Sequence, residues 1–165
     1  TLYKSTLILS TLALLSCGGS SDSASTTSFI FPTFTLTGPD AAAFGSTLKV
    51  NAQERTTTST TTTIILTDRN YDGTETPAQI GNGFNINFET AVADPTNTLL
   101  VVAIVLNGTE HNYACDTTAA QAPDCDANSL SYNAATKTLT VNNAQVTNVP
   151  NTGMSFRVSG TVENI

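Results

Sequence analysis

The chain has 165 residues, the length of one domain once any leader is removed. Six basic residues against thirteen acidic ones give a net charge of −7. A field of that sign repels phosphate backbones, which disfavours a nucleic-acid partner, and none is predicted. Thr, Asn, Val and Ile are frequent, charged residues are scarce and Trp is absent. This composition favours strands over surface helices.

The N-terminal segment carries one lysine, Lys4, followed by the apolar run "TLILSTLALL" at 6–15. The run has about ten residues, whereas a membrane-spanning helix needs about 20. It is therefore typical of the hydrophobic region of a signal peptide. The run ends at Leu14-Leu15-Ser16-Cys17, and a flexible stretch, "GGSSDSASTTS", follows it.

The four residues from Leu14 to Cys17 resemble the lipobox of bacterial lipoproteins. Leu14 stands three positions before the cysteine and the small Ser16 directly precedes it, while Leu15 occupies a position where the family more often has a small residue. The resemblance is confined to the N-terminal segment. The alternative is a plain signal peptide with a chance cysteine.

The resemblance implies cleavage before Cys17, a thioether from Cys17 to diacylglycerol, and acylation of the new N-terminus, for example by palmitate. The lipid bilayer is then a partner, because two or more acyl chains give stable anchoring. Gly18 replaces the Asp that retains family members at the inner membrane, which implies the outer membrane of a bacterial cell envelope. The chain thus divides into a signal peptide (1–16), lipidated Cys17 with a tether (17–28), and one β-domain (29–165).

The three cysteines are an odd count for an exported protein. If lipid consumes Cys17, then Cys115 and Cys125 remain, and an oxidising compartment favours a disulfide between them. The alternative is a metal or redox pair. Two cysteines without a second Cys/His pair make a poor zinc site, and His111 is the only histidine.

Beyond the tether, apolar residues alternate with polar ones, as in "FNINFE" (84–89) and "MSFRVSGTVEN" (154–164). This period of two predicts antiparallel strands with one wet face. The run "LLVVAIVL" (99–106) is apolar throughout and predicts a central strand buried on both faces. The Thr-rich stretch 56–66 predicts a strand rich in β-branched residues.

Two hairpins are predicted. Asn107-Gly108 joins two strand-like runs, and both residues accept a positive φ. The second hairpin pairs Leu130 and Tyr132 with Leu139 and Val141. Beyond Val141 the apolar parity shifts by one residue, which predicts a β-bulge near Asn142-Asn143.

These elements amount to about eight or nine strands with no convincing helix. We therefore predict an all-β fold, an antiparallel β-sandwich of Ig-like type with Greek-key connections. A small closed β-barrel is the alternative.

One motif suggests a metal. Asp68, Asn70, Asp72 and Gly73 match D-x-N-x-D-G, the first half of a calcium loop. The twelfth position is Gln79 where a bidentate Glu is expected, and Glu75 is a substitute ligand. The alternative is an Asp/Asn/Gly-rich turn between strands. No other cofactor is predicted.

For function, the residues support a non-enzymatic envelope lipoprotein whose β-domain binds a protein, a glycan or another envelope component. One histidine, no free thiol and no G-x-S-x-G motif leave no nucleophilic triad. His111, beside Glu110, is interpreted as a solvated strand residue. The alternative is a small glycosidase-like hydrolase that uses a pair of carboxylates.

Overall fold

A computed structural model describes residues 31–69, 75–126 and 128–165. One α-helix, α1 (Pro77–Ile80), and one 3-10 helix (Pro39–Ala43) accompany the strands. The strands are β1 (Thr33–Thr37), β2 (Thr47–Lys49), β3 (Ala52–Thr57), β4 (Thr61–Thr67), β5 (Gly83–Ala91), β6 (Thr98–Leu106), β7 (Thr109–Asp116), β8 (Leu130–Asn133), β9 (Thr138–Asn148) and β10 (Ser155–Val162).

The strands form one antiparallel sheet in the order β2-β1-β10-β9-β7-β6-β5-β4-β3, with β8 paired to β9 beside this path. The predicted all-β antiparallel class is confirmed. Most neighbours in the sheet are also neighbours in the chain, as in a meander. β1 departs from this pattern, because it pairs with β10, which is distant from it in the chain.

The sheet curls until its two edge strands meet. β2 and β3 lie at opposite ends of the strand order but are consecutive in the chain. Between them, the Val50 N–H donates to Pro32 O (3.0 Å) on one side and the Asn51 N–H donates to Thr67 O (2.8 Å) on the other. The curled sheet fits both the sandwich and the barrel-like description.

A β-bulge divides β9 into two halves and confirms the predicted shift of parity. Val158 pairs with Ala144 and Gly160 with Val141, so two residues of β9, Asn142 and Asn143, lie opposite one residue of β10. Asn143 has a φ of 55°, and its N–H donates to Ser159 Oγ (3.0 Å).

β10 pairs with β9 on both sides of the bulge. The other edge of β9 has a different partner in each half. Before the bulge β9 pairs with β8 through Leu130↔Val141 and Tyr132↔Leu139, the hairpin predicted from the sequence. After the bulge it pairs with β7 through Ala114↔Thr147. A bulge bends its strand, and here it carries β9 from one neighbour to the next.

The inner faces of the strands enclose one hydrophobic core. Its largest fully buried side chains are Tyr113, Phe34, Phe88, Phe156, Ile64, Leu66, Ile86, Leu100, Leu139, Val50, Val102 and Val141. The apolar faces predicted for 84–89 and 154–164 supply several of these residues. Burial of this much apolar area is the main stabilising contribution to the fold.

Two strand predictions need correction. On β6 the inner residues Leu100, Val102 and Ile104 are buried, whereas the outer face is buried only at Val105, and Leu99 and Val101 on that face are half-buried. The Thr-rich stretch forms a hairpin rather than one strand. The Thr58 hydroxyl accepts the N–H groups of Thr60 (3.2 Å) and Thr61 (3.0 Å), and a hydroxyl that binds turn amides in this way favours a turn over an extended strand.

The predicted Asn107-Gly108 hairpin is confirmed. Its turn also hydrogen-bonds to the segment that follows α1. Both residues have positive φ, 51° and 75°. The Asn107 N–H donates to Asn82 Oδ1 (2.7 Å) and the Gly108 N–H to Gly81 O (2.7 Å). These bonds hold α1 near the β6–β7 turn.

Candidate functional site

Several residues singled out in the sequence lie outside the described part of the chain. They are Cys17 with the rest of the lipobox, and Asn70 and Asp72 of the calcium motif. Within the described residues, no helix combines the length and apolar character that crossing a membrane requires.

The predicted disulfide is present. Cys115 in β7 is bonded to Cys125, and their Cα atoms lie 4.9 Å apart, within the range for disulfides. Both residues are buried in the core. The bond closes the loop 116–124 against the end of β7.

Asp116 organises this loop from within. Its Oδ1 accepts the N–H and the hydroxyl of Thr118 (both 2.8 Å), and its Oδ2 accepts the Gln121 N–H (2.9 Å). Burial raises the pKa of this carboxyl, but the hydrogen bonds from Thr118, Gln121 and Ala120 outweigh burial and leave the pKa below its usual value. Asp116 is therefore an ionised, buried acceptor that fixes the loop.

Of the calcium motif, only Asp68 is described. Its backbone oxygen accepts Asn51 Nδ2 (2.8 Å), and its carboxylate forms an ion pair with Arg69 (3.4 Å). Gln79, at the twelfth position, instead caps α1, where its Oε1 accepts both the N–H and the hydroxyl of Thr76. Among the described residues no three His, Cys, Asp or Glu side chains are grouped as metal ligands.

His111 belongs to an aromatic cluster at one end of the core. Its ring lies 5.4 Å from that of Phe44, which also contacts Tyr113 and Phe156. The side chain is half-buried. This position suits a packing role rather than that of a solvated strand residue.

The described residues line several open clefts, including these three. The first has a volume of about 230 Å³ and lies between α1 and the outer face of β5, β6 and β7, where Glu75 and Glu110 line an apolar floor of Ala103 and Val105. The second, of about 360 Å³, lies where the sheet edges meet, between β2 and the ends of β4, β5 and β6. The third lies beside the disulfide.

The third cleft, which we call the disulfide cleft, has the greatest volume of these, about 510 Å³. Its walls come from three separate parts of the chain: the β5–β6 loop, the β7–β8 loop and the strand β8. It is lined by Pro95, Thr96, Thr117, Asp124, Cys125, Asp126, Asn128, Leu130, Ser131 and Tyr132. Its volume lies within the range of ligand-binding clefts, and its lining is mixed, with more polar than apolar residues.

Tyr132 is held in place at the wall of this cleft. Its hydroxyl accepts a hydrogen bond from Arg55 Nη1 (2.9 Å), which links β8 to the edge strand β3. Its ring packs against Phe88, with 6.5 Å between the ring centroids. A ring fixed at both its edge and its face loses little freedom when a ligand binds.

The polar groups of the disulfide cleft are only partly used within the protein. Asp126 forms an ion pair with Arg157, and the Thr117 hydroxyl donates to Thr96 O (2.7 Å). Within the described residues, the side chains of Asp124, Asn128 and Ser131 make no hydrogen bond. They leave a carboxylate, an amide and a hydroxyl available to a ligand.

The sequence did not reveal these cleft residues. Asp124 and Asn128 stand in an irregular Asp/Asn-rich stretch that by itself indicates only turns, and Ser131 occupies a polar position of a predicted strand. Their convergence depends on the disulfide and on the β8–β9 hairpin, both of which were predicted. The disulfide spacing was thus the one signal that placed these loops near β7.

The described residues, taken together, form an all-β domain with an internal disulfide and an open cleft beside it. No protein-family model, curated protein sequence or solved structure matches the chain.

Proposed function

We propose that this protein is a lipid-anchored lipoprotein of the bacterial cell envelope, at the outer membrane, whose β-domain is a non-enzymatic binding module. The observation that carries the anchoring is the sequence Leu14-Leu15-Ser16-Cys17 at the end of a short apolar run. Acyl chains on Cys17 would hold the domain at the bilayer, and the Gly/Ser-rich segment after it would act as a flexible tether.

The binding role rests on the disulfide cleft. A rigid β-scaffold that presents unused hydrogen-bonding groups beside a fixed aromatic ring is the usual design of a small-ligand site. The disulfide and Asp116 hold one wall, and the β8–β9 hairpin holds the other.

The anchoring is tested by expressing the full chain in a Gram-negative bacterium with an alkyne-labelled palmitate analogue. The wild-type protein should incorporate the label and fractionate with membranes. Cys17→Ala should abolish both, because no thiol remains to accept the lipid. Ser16→Gly, which keeps a small residue before the cysteine, is the matched control and should retain both. A Cys17→Ala protein that stays labelled and membrane-bound would refute lipid anchoring.

A second candidate is a small glycosidase-like hydrolase, and one observation favours it. Asp124 and Asp126 line the same cleft, and a pair of carboxylates is the catalytic machinery of most glycosidases. The test is release of nitrophenol from nitrophenyl glycosides by the purified protein. Turnover that is lost in both Asp124→Asn and Asp126→Asn would establish the hydrolase and displace the binding role.

A further inference from the structure

We propose that the disulfide cleft binds a neutral saccharide, with the Tyr132 ring as its apolar platform. This inference deepens the proposed binding role and rests on it.

The first element is the aromatic platform. One face of a pyranose ring carries C–H groups and is apolar, and such a face packs well against an aromatic ring. Tyr132 is half-buried and is fixed by Arg55 and Phe88. Pro95 and Leu130 add apolar surface to the same cleft.

The second element is the set of polar groups. A saccharide presents hydroxyls that each donate and accept hydrogen bonds. The cleft offers Asp124 as an acceptor, Asn128 as donor and acceptor, and Ser131 as donor and acceptor, and none of these side chains is engaged within the described protein. Groups of these three kinds can meet neighbouring hydroxyls of one sugar ring.

The third element is charge. The cleft lining contains two aspartates, but Asp126 is paired with Arg157, and Arg55 donates to the Tyr132 hydroxyl at the cleft wall. Asp124 forms no ion pair within the described residues, so it is the carboxylate that would repel a nearby carboxylate or phosphate of an acidic sugar. A neutral saccharide avoids this repulsion and gains hydrogen bonds to Asp124, which are stronger than bonds between neutral groups.

The test uses the full-length lipoprotein in a detergent without a sugar headgroup. Saturation-transfer-difference NMR measures contact with cellobiose and with diacetylchitobiose, the neutral probes, and with glucuronic acid and trilysine for comparison. We expect saturation transfer to the ring protons of at least one neutral disaccharide, and none to glucuronic acid or trilysine.

Two groups of variants measure separately what the Tyr132 ring and what the polar side chains contribute to the affinity. Tyr132→Ala should weaken binding about tenfold or more, whereas Tyr132→Phe, which keeps the ring, should stay within about threefold of wild type. Asp124→Ala, at an exposed position, and Asn128→Gly, which suits the φ of 61° at that residue, should also weaken binding and should leave the folded structure intact. Glu110→Gln, in the cleft beside α1, is the matched control and should not change the affinity.

Absence of saturation transfer to both disaccharides would overturn the saccharide proposal. So would unchanged affinity in Tyr132→Ala and Asp124→Ala, or binding of trilysine in competition with the sugars, which would indicate a cation site. Labelling of Cys17 is measured separately. If the protein is lipidated at Cys17 but shows no binding of the disaccharides, the saccharide inference alone is overturned. If the protein binds a disaccharide but carries no lipid, only the anchoring is overturned.

Discussion

The ring of Phe34 in β1 packs directly on the backbone of Gly160 in β10. A Cβ placed on Gly160 would lie 2.5 Å from Cδ1 of that ring and 2.8 Å from Cε1. Phe34 is fully buried, so the ring has no free space into which it can retreat. The glycine is therefore needed for close approach.

Gly160→Ala is expected to destabilise the fold by about 1–3 kcal/mol, because a methyl group at this position overpacks the core. Urea denaturation measures the change. Phe34→Leu in the same chain should recover part of the loss, since a smaller side chain relieves the clash, and the two substitutions should be strongly non-additive. Equal stability of Gly160→Ala and wild type would show that the ring is not a fixed neighbour.

The disulfide should contribute to stability by restricting the unfolded chain. Cys125→Ser, which opens a loop with a sequence separation of 10, is expected to lower the free energy of unfolding by about 2–4 kcal/mol without changing the fold. Far-ultraviolet circular dichroism and urea titration check both parts. Wild-type protein treated with a reductant should approach the stability of the variant, and two free thiols in the untreated denatured protein would contradict the bond.

Asp116 should make stability depend on pH in the acid range. Its pKa is lowered in the folded protein, so its contribution is present above the unfolded value of about 3.9 and is lost as pH falls through the folded value. Asp116→Asn should lower stability near neutral pH by about 1–3 kcal/mol, because one charged acceptor is lost.

The urea midpoint of the Asn variant should also change less than that of wild type between about pH 3 and about pH 7. Glu163→Gln is the control, because Glu163 is exposed and its side chain makes no hydrogen bond within the described residues. An identical pH profile for Asp116→Asn and wild type would remove Asp116 from this role.

The bulge in β9 should matter because its extra residue sets the pairing register of β9 with β10, and not because of the side chains of Asn142 and Asn143. Deleting Asn143 removes the extra residue, so residues on one side of it must present their apolar side chains to solvent. We expect that deletion to abolish the cooperative unfolding transition. Asn142→Ala keeps the residue count and should cost less than about 1 kcal/mol. A deletion variant that unfolds cooperatively at the wild-type midpoint would contradict this explanation.

The calcium hypothesis for Asp68, Asn70 and Asp72 predicts a melting temperature that rises as calcium reaches the millimolar range, because the ion would bind only the folded state. Asp72→Ala should abolish the rise. Differential scanning calorimetry with calcium, with chelator and with sodium alone provides the comparison. A melting temperature that none of these solutions changes would leave the turn interpretation.

Local rules predicted most of the sheet. The period of two placed Phe84, Ile86 and Phe88 in the core, and Asn107-Gly108 fixed a two-residue turn. The parity shift located the bulge, because side-chain direction in a strand is set by residue count alone. These features depend on neighbours in the chain, which a sequence displays directly.

Other features depend on residues that are distant in the chain. The Thr58 turn could not be distinguished from a strand by composition, because threonine favours both a strand and a hydroxyl-bonded turn. The disulfide cleft is assembled from loops near Pro95, Asp124 and Tyr132. The cleft exists because these loops lie side by side in the fold, and the alternation of apolar and polar residues along the strands does not predict where loops lie.

The pairing of β1 with β10 has a consequence for how the protein is made. Leu36 lies opposite Val158, so β1, the first strand of the described residues, is paired on both edges only after β10 has been synthesised. Contacts that are distant in sequence form slowly. The curled sheet should therefore be completed only after β10 has been made, although the local hairpins of the meander can form earlier.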